Sequence, residues 1–383
     1  MIPHKMRLGL RTWIEIDTNA IKTNYQVFRK LIPAKTKLMA VVKSNAYGHS
    51  LIDFSQKITE LGADALGVDS VMEGLALRRE KITVPILILG FTLPEMLEEA
   101  AQNDLAVTIS NAYLLEEIKK KTFSKKLKIH IKVDTGMHRQ GFLPADKEHL
   151  LTLLKACAEK IEVEGLFTHF AAAKDPSSLD YTCEQIDLFT EWKKDLEVAG
   201  YKFLSHASAS AGTILFPEAH LDMVRVGIGL YGLWPSSQVR DTFEANLKLT
   251  PSLAWKTIIA ETKKLPKGSF IGYDLSEKLE RDSVIGICPI GYWHGLPRYL
   301  SNVGVVLVKE KRCKILGMVS MDMVVIDLTD VGSPVIGDEV VVIGKSEGEE
   351  ITAYEFADMG SAPRASHYEA ITRINPLIKK LYF

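Results

Sequence analysis

The sequence has little of what would direct a chain to a membrane, to nucleic acid or to an oxidising compartment. Only four of its 383 residues are cysteine. Cys157, Cys183, Cys288 and Cys313 lie far apart and show no metal-ligand spacing, so free thiols in a reducing compartment are expected. No apolar run approaches the length of a membrane span, and the stretch up to Trp13 has basic residues but no apolar core of signal-peptide length. Charge of one sign is missing as well: 47 basic residues oppose 48 acidic ones, a formal net charge of −1. The densest basic patch, Lys119-Lys120-Lys121 with Lys125-Lys126, ends a helical stretch and reads as a solvated helix C-terminus. Internal repeats and low-complexity segments are absent. These gaps point to a cytoplasmic protein with neither membrane nor nucleic acid as partner, long enough for two domains with full cores.

What is present is an alternation. After Trp13-Ile14-Glu15-Ile16, Asp17 can cap a helix with apolar positions Ile21, Tyr25, Phe28 and Leu31, stopped at Pro33. Short apolar runs then recur at 38–42, 65–68, 85–89, 105–109, 129–133, 163–167, 203–205 and 223–228, with amphipathic stretches such as 113–120 and 184–199 between them. Eight strand-and-helix units predict an α/β fold, a TIM-like (β/α)8 barrel. A doubly wound open sheet competes, but no Gly-x-Gly-x-x-Gly turn follows the first strand. Beyond about Trp234 the pattern changes. Strand-like segments at 253–262, 283–289, 303–309, 323–328 and 339–343 are broken by Gly, Pro and Asp turns. The expected division is therefore a barrel over 1–240 and a mainly β C-terminal domain over 241–383, with the first strand free to pack with the second domain.

In such a barrel the chemistry lies just past the strands, at the C-terminal face. Lys43 follows the first strand, Lys132, Asp134 and Arg139 lie at the end of the fifth and in its loop, and His169 follows the sixth. His206 and Ser210 follow the seventh, and Arg225 lies in the eighth. Lys43 leads into the polar turn Ser44-Asn45-Ala46-Tyr47-Gly48-His49. A desolvated amine there would have a depressed pKa and suit Schiff-base chemistry, whereas an isolated strand-end lysine could equally snorkel to water. Each other position has a plain reading too: a salt bridge for Arg225, satisfied core histidines, and a packing requirement for Gly227-Ile228-Gly229.

The run Ala40-Val41-Val42-Lys43-Ser44-Asn45-Ala46-Tyr47-Gly48-His49 resembles the lysine segment of alanine racemases, the fold-type III enzymes that use pyridoxal 5′-phosphate (PLP). The resemblance continues through 132–139 (Lys-Val-Asp-Thr-Gly-Met-His-Arg), Thr168-His169-Phe170-Ala171, 225–232 (Arg-Val-Gly-Ile-Gly-Leu-Tyr-Gly), Gly291-Tyr292 and Ser320-Met321-Asp322. It implies that Lys43 carries PLP, and that Ser210, the amides of Gly227 and Ile228, and the Tyr47 hydroxyl hold the phosphate. Glycine at 227 suits such an anion nest. Arg225 would donate to the pyridine nitrogen, flanked by His169 and His206. A guanidinium does not readily surrender its proton, so the ring would be a weaker electron sink.

Racemisation removes a proton from one face of Cα and returns one to the other, which calls for two acid/base groups. The resemblance makes these Lys43 and Tyr273, the latter reaching the mouth of a partner subunit's barrel. A phenol's ordinary pKa near 10 must fall for this role, and positive charge from Arg225 would act in that direction. A turn aromatic packed at a domain interface is the plain alternative for Tyr273. Arg139 would bind the substrate carboxylate with the backbone N–H of Met321 from the second subunit, and Asp322 follows in the same motif. Lys132 matches a position that is often carbamylated, where it would orient Arg139. The implied enzyme is a homodimer with shared active sites that interconverts L- and D-alanine for peptidoglycan precursors.

The chain departs from the family pattern at Trp293-His294 after Gly291-Tyr292, at Lys174 before Asp175, at Met318, at Ala209, and at Pro376 where some relatives place a tyrosine near the phosphate. These departures keep open a racemase of serine, lysine or broad specificity. A non-catalytic PLP-binding regulator is the reading from another class, and a decarboxylase on the same fold is a third.

Overall fold

The computed structural model describes residues 7–360 and 366–383. The chain forms two compact units. One comprises Asn19–Ala46 and Leu51–Pro251; the other comprises residues up to Thr18, the short segment Tyr47–Ser50, and Ser252–Phe383. The helix Ser237–Phe243 stays with the first unit, which ends a little beyond residue 240.

In the first unit, strands Lys37–Val41, Ala65–Val68, Ile86–Ile88, Leu105–Ile109, Leu127–Lys132, Ile161–Phe167 and Leu204–His206 pair in parallel, each with its successor. The eighth, Met223–Val226, lies parallel to the first, with Met39 opposite Arg225. Between the seventh and eighth, Asp222 N–H donates to Ser205 O (3.1 Å) and Arg225 N–H to Ser208 O (2.9 Å), so the (β/α)8 barrel is nearly closed. Four of these strands are buried along their whole length and the other four along most of theirs, as parallel strands covered on both faces must be, which explains their apolar runs. Met39, Ala65, Leu87, Ala106 and Met223 form one cluster, large residues alternating with small ones. Outer helices are started locally: Ser70 Oγ accepts the Glu73 N–H ahead of Val71–Arg79, and Asn111 Oδ1 accepts the Leu114 N–H ahead of Ala112–Lys120.

In the second unit, Thr12–Ile16 pairs antiparallel with Leu253–Ile258 and parallel with Lys380–Tyr382, inside a ten-stranded sheet. The expected strand at 253–262 is two strands, Leu253–Ile258 and Glu261–Leu265. At the break, Ile259 N–H bonds to Asp338 O while Ala260 N–H bonds to Ile287 O, so the chain changes partners there. Lys311–Leu316 is a strand that the apolar pattern did not reveal: Lys311, Arg312 and Lys314 are exposed while Cys313, Ile315 and Leu316 are buried.

Candidate active site

The first barrel strand ends at Val41, and Lys43 stands two residues beyond it. Of the desolvated and the snorkelling amine, it is the second that forms. Because the ladder has already ended, the Lys43 side chain is 38% exposed, with Nζ 3.4 Å from Asp69 Oδ1. The backbone then makes a left-handed turn: φ is 56°, 56°, 51° and 50° at Ser44, Asn45, Ala46 and Tyr47. None of the four is glycine, and each such residue costs about 1–2 kcal/mol. Strain of this order persists only where the surroundings over-determine it, and it concentrates at functional positions. Asn45 Oδ1 accepts the Leu51 N–H (2.9 Å), and Glu73, which sequence reasoning missed, accepts N–H groups of the turn.

Tyr47 and the residues after it belong to the β unit. Gly48 follows with φ 89°, and a Cβ there would lie 2.2 Å from Ile371 O. Burial pushes the Tyr47 phenol up to about 12, so it remains a hydrogen-bond donor at neutral pH.

Arg225 is the centre of the barrel mouth and only 3% exposed. Nη1–H donates to His206 Nδ1 (2.8 Å); Nη2 donates to the carbonyls of Thr168 (2.7 Å) and Ala207 (2.8 Å) and lies 3.2 Å from His169 Nδ1. None of these uses the Nε–H. Among the described residues no carboxylate pairs with this guanidinium, and burial lowers its pKa to about 9. It stays charged at neutral pH. The Phe167 ring stacks on His206 at 4.7 Å and lies 5.2 Å from the guanidinium carbon, a cation–π support that sequence reasoning also missed.

Below Arg225 the chain of contacts continues to a third imidazole, His130, whose Nδ1 is 2.9 Å from His206 Nε2. Arginine can only donate, so His206 accepts at Nδ1, carries its proton on Nε2, and donates to His130. Burial, followed by the charge of Arg225, lowers the pKa of His130 to about 3, that of His169 to about 3 and that of His206 well below its ordinary value. All three rings are neutral acceptors or relays at neutral pH.

Lys132 is buried, with Nζ 3.1 Å from Gln140 Oε1; burial and then the nearby Arg139 and Arg225 charges lower its pKa to about 8. Asp134 Oδ1 accepts the N–H groups of Gly136 (2.9 Å) and His138 (3.0 Å), shaping the loop that carries Arg139. Arg139 is exposed and makes no ion pair with the described residues. Lys43, Lys132, Arg139 and Arg225 all act electrostatically on His169, so the mouth gathers four cations. At its edge Ser210 Oγ accepts the N–H groups of Gly227 (3.1 Å) and Gly229 (3.3 Å). Ile228 opens the short turn Ile228–Tyr231, where first-turn amides have no partner within the turn. Gly227 and Ile228, the amide pair named from the sequence, stand together at the start of this turn; the Gly227 N–H, with that of Gly229, meets Ser210 Oγ, while the Ile228 N–H has no hydrogen-bond partner among the described residues.

The β unit carries the remaining candidates on its own cleft of about 1170 Å³, lined by Tyr273, Tyr292, Trp293, Arg298, Met321 and Pro376 among others. Tyr273 follows Gly272 (φ 74°) and is 69% exposed. Trp293 N–H donates to Met321 O (3.0 Å) and Tyr292 N–H to Ser320 O (3.0 Å), tying Tyr292 and the departing Trp293 to the Ser320-Met321-Asp322 loop. A Cβ at Gly291 would lie 2.2 Å from Ser320 O. His294 is buried and accepts the Gly291 N–H at Nδ1 (3.1 Å), so this departure from the family pattern has a structural task. Asp322 is exposed beside Met321.

Fold and mouth together define a (β/α)8-barrel enzyme followed by a β-sheet domain, with a strand-end lysine and a cluster of cations suited to anionic ligands. Residues 16–235 match the family model described as alanine racemase, N-terminal domain, and residues 252–382 that described as alanine racemase, C-terminal domain. A protein of Methanococcus maripaludis named alanine racemase is 39% identical over 97% of this chain and 98% of its own length. Alanine racemase 2 of Bacillus subtilis is 37% identical over 98% and 96%. Among solved structures, the Bacillus anthracis alanine racemase with bound L-Ala-P superposes with a TM-score of 0.91 at 34% identity, covering 97% of this chain and 95% of that one. The chain belongs to the alanine racemase family, and by class it is an isomerase.

Proposed function

We propose that the protein interconverts L- and D-alanine with bound PLP, using Lys43 and Tyr273 as the two proton-transfer groups. The observation that carries this reading is the barrel mouth itself: a strand-end amine and a buried guanidinium, both acting on His169, the guanidinium paired with no carboxylate among the described residues. The residues suit PLP on three counts. The Nε–H of Arg225 has no acceptor among the described residues and can meet a ring nitrogen. The Ser210 hydroxyl and the amides of Gly227 and Ile228 are donors that a phosphate can meet, the Gly227 N–H lying 3.1 Å from Ser210 Oγ. The Tyr47 phenol keeps its proton and can donate to the same anion.

When bound, PLP supplies an electron-withdrawing ring conjugated to the substrate Cα, which acidifies the α-proton. Lys43 takes or returns that proton at its amine on one face. Tyr273, from a second copy of the chain, serves the other face. Arg225 keeps its own proton and so withholds one from the ring, limiting charge delocalisation and side reactions. His206 and His130 hold the guanidinium in place. Arg139 and the Met321 N–H, neither engaged by the described residues, are available to a substrate carboxylate. The homodimer draws support from the exposed aromatic and apolar side chains around the cleft, Tyr273, Trp293 and Met321. No described helix is long and apolar enough to cross a membrane. Cytoplasmic placement and supply of D-alanine for peptidoglycan follow from the family resemblance.

Purified protein should be yellow, lose that colour on borohydride reduction, and wash the α-proton of alanine out into deuterated water. Tyr273→Phe should keep the colour and lose turnover. Protein that binds PLP but exchanges no α-proton from any amino acid would overturn the proposal. Trp293 on the cleft favours a broader substrate range as the second reading, and a panel of single enantiomers followed by chiral chromatography decides it.

A further inference from the structure

The left-handed turn after Lys43 has a support outside its own segment. Ser70-Val71-Met72-Glu73 spells a capping box, in which the glutamate ordinarily reaches back to the N–H of its own cap residue. Here Ser70 caps the helix, with its Oγ 3.3 Å from the Glu73 N–H, but the glutamate carboxylate goes elsewhere. Its Oε1 accepts the N–H groups of Ser44 (2.8 Å) and Asn45 (3.3 Å), the first two residues of the left-handed turn. Its Oε2 accepts the N–H of Asp69 (2.8 Å), whose own carboxylate meets Lys43 Nζ. One carboxylate therefore fixes the backbone on both sides of the Lys43–Asp69 pair, one oxygen for the loop after the first strand and one for the loop after the second. The helix could be capped without this arrangement, whereas four consecutive non-glycine residues at positive φ need such a clamp.

We propose that Glu73 is the positioning residue for the Lys43 amine: its carboxylate holds the strained turn and the facing Asp69 loop in register, and so sets the direction of the amine. The proposal rests on the reading of Lys43 as the working amine. Both oxygens are needed. A glutamine offers one acceptor oxygen and an NH2 group that opposes a backbone N–H, so Glu73→Gln keeps one loop and releases the other. Glu73→Ala releases both.

The test compares Glu73→Gln, Glu73→Ala and Ser70→Ala, the last removing the helix cap while leaving the carboxylate. In cofactor-free protein, amide hydrogen exchange at Ser44 and Asn45 should speed up about tenfold or more in Glu73→Ala, less in Glu73→Gln, and not in Ser70→Ala, while the barrel strands remain protected. In PLP-loaded protein, kcat for alanine should fall in the same order with KM little changed. Unchanged exchange at the turn in Glu73→Ala, or equal effects from Ser70→Ala, would overturn the proposal. Peptide mapping after borohydride reduction separates the two ideas. A label away from Lys43 defeats the functional reading, while exchange at the turn tests Glu73 by itself.

Discussion

Replacing Gly165 by alanine would drive a methyl group into the histidine chain beneath Arg225. Gly165 pairs with His130 across neighbouring strands, and a Cβ there would lie 2.1 Å from His130 Nδ1 and 2.5 Å from Cε1. The atom struck is the one that accepts the His206 proton at 2.9 Å. Overpacking of a filled core costs about 1–3 kcal/mol. Displacing His130 also leaves a buried His206 N–H without an acceptor, a further ~1–3 kcal/mol. Gly165→Ala should therefore destabilise the barrel by about 2–6 kcal/mol.

His130→Ala removes the same ring, opens space and orphans the same donor, so it costs about 3 kcal/mol or more. In the double variant the new methyl enters vacated space, and Gly165→Ala should cost nearly nothing more. Urea denaturation of the four proteins closes the cycle, and the expected coupling is about the whole cost of Gly165→Ala. If Gly165→Ala cost the same in both backgrounds, the clash with His130 would not be the mechanism and the relay would be refuted.

The same imidazoles set a pH dependence. His130 and His169 stay neutral in the fold down to about 3, while in the unfolded chain they take up protons below about 6.5. The unfolded state then binds more protons, so stability is lost as pH falls through this window, by about 2 kcal/mol per imidazole at pH 5. A urea midpoint unchanged between pH 7 and pH 5 would contradict this. Lys132, with its pKa lowered to about 8, has roughly half its amine neutral at pH 8 and is open to carbon dioxide. Protein equilibrated with ¹³C-bicarbonate should show a carbamate resonance that Lys132→Arg lacks; identical spectra would rule out carbamylation there.

Much of this molecule follows from local pattern. Parallel strands buried on both faces must be continuous apolar runs, so all eight barrel strands could be located within a residue or two. The rule that barrel chemistry lies past the strand ends singled out Lys43, Lys132, His169, His206, Ser210 and Arg225 before any contact was known. Lys311–Leu316 escaped because a strand with one solvated face and three basic residues carries no apolar run.

What only the tertiary structure decided are relations between residues remote in the chain. The sequence leaves a strand-end lysine either desolvated or reaching to water, and only the fold shows the strand ending at Val41 and Asp69 meeting the amine. His130 has no signature in Leu127–Lys132, since its role depends on the register that puts a glycine opposite it and on a partner 76 residues away. Ser70 and Glu73 do form a legible pair, but the sequence predicts a local cap. Only the fold brings the first two barrel loops close enough for that carboxylate to serve them instead. Periodicity fixes which element a residue occupies and which face it shows, while strand register and loop proximity fix which residue it touches.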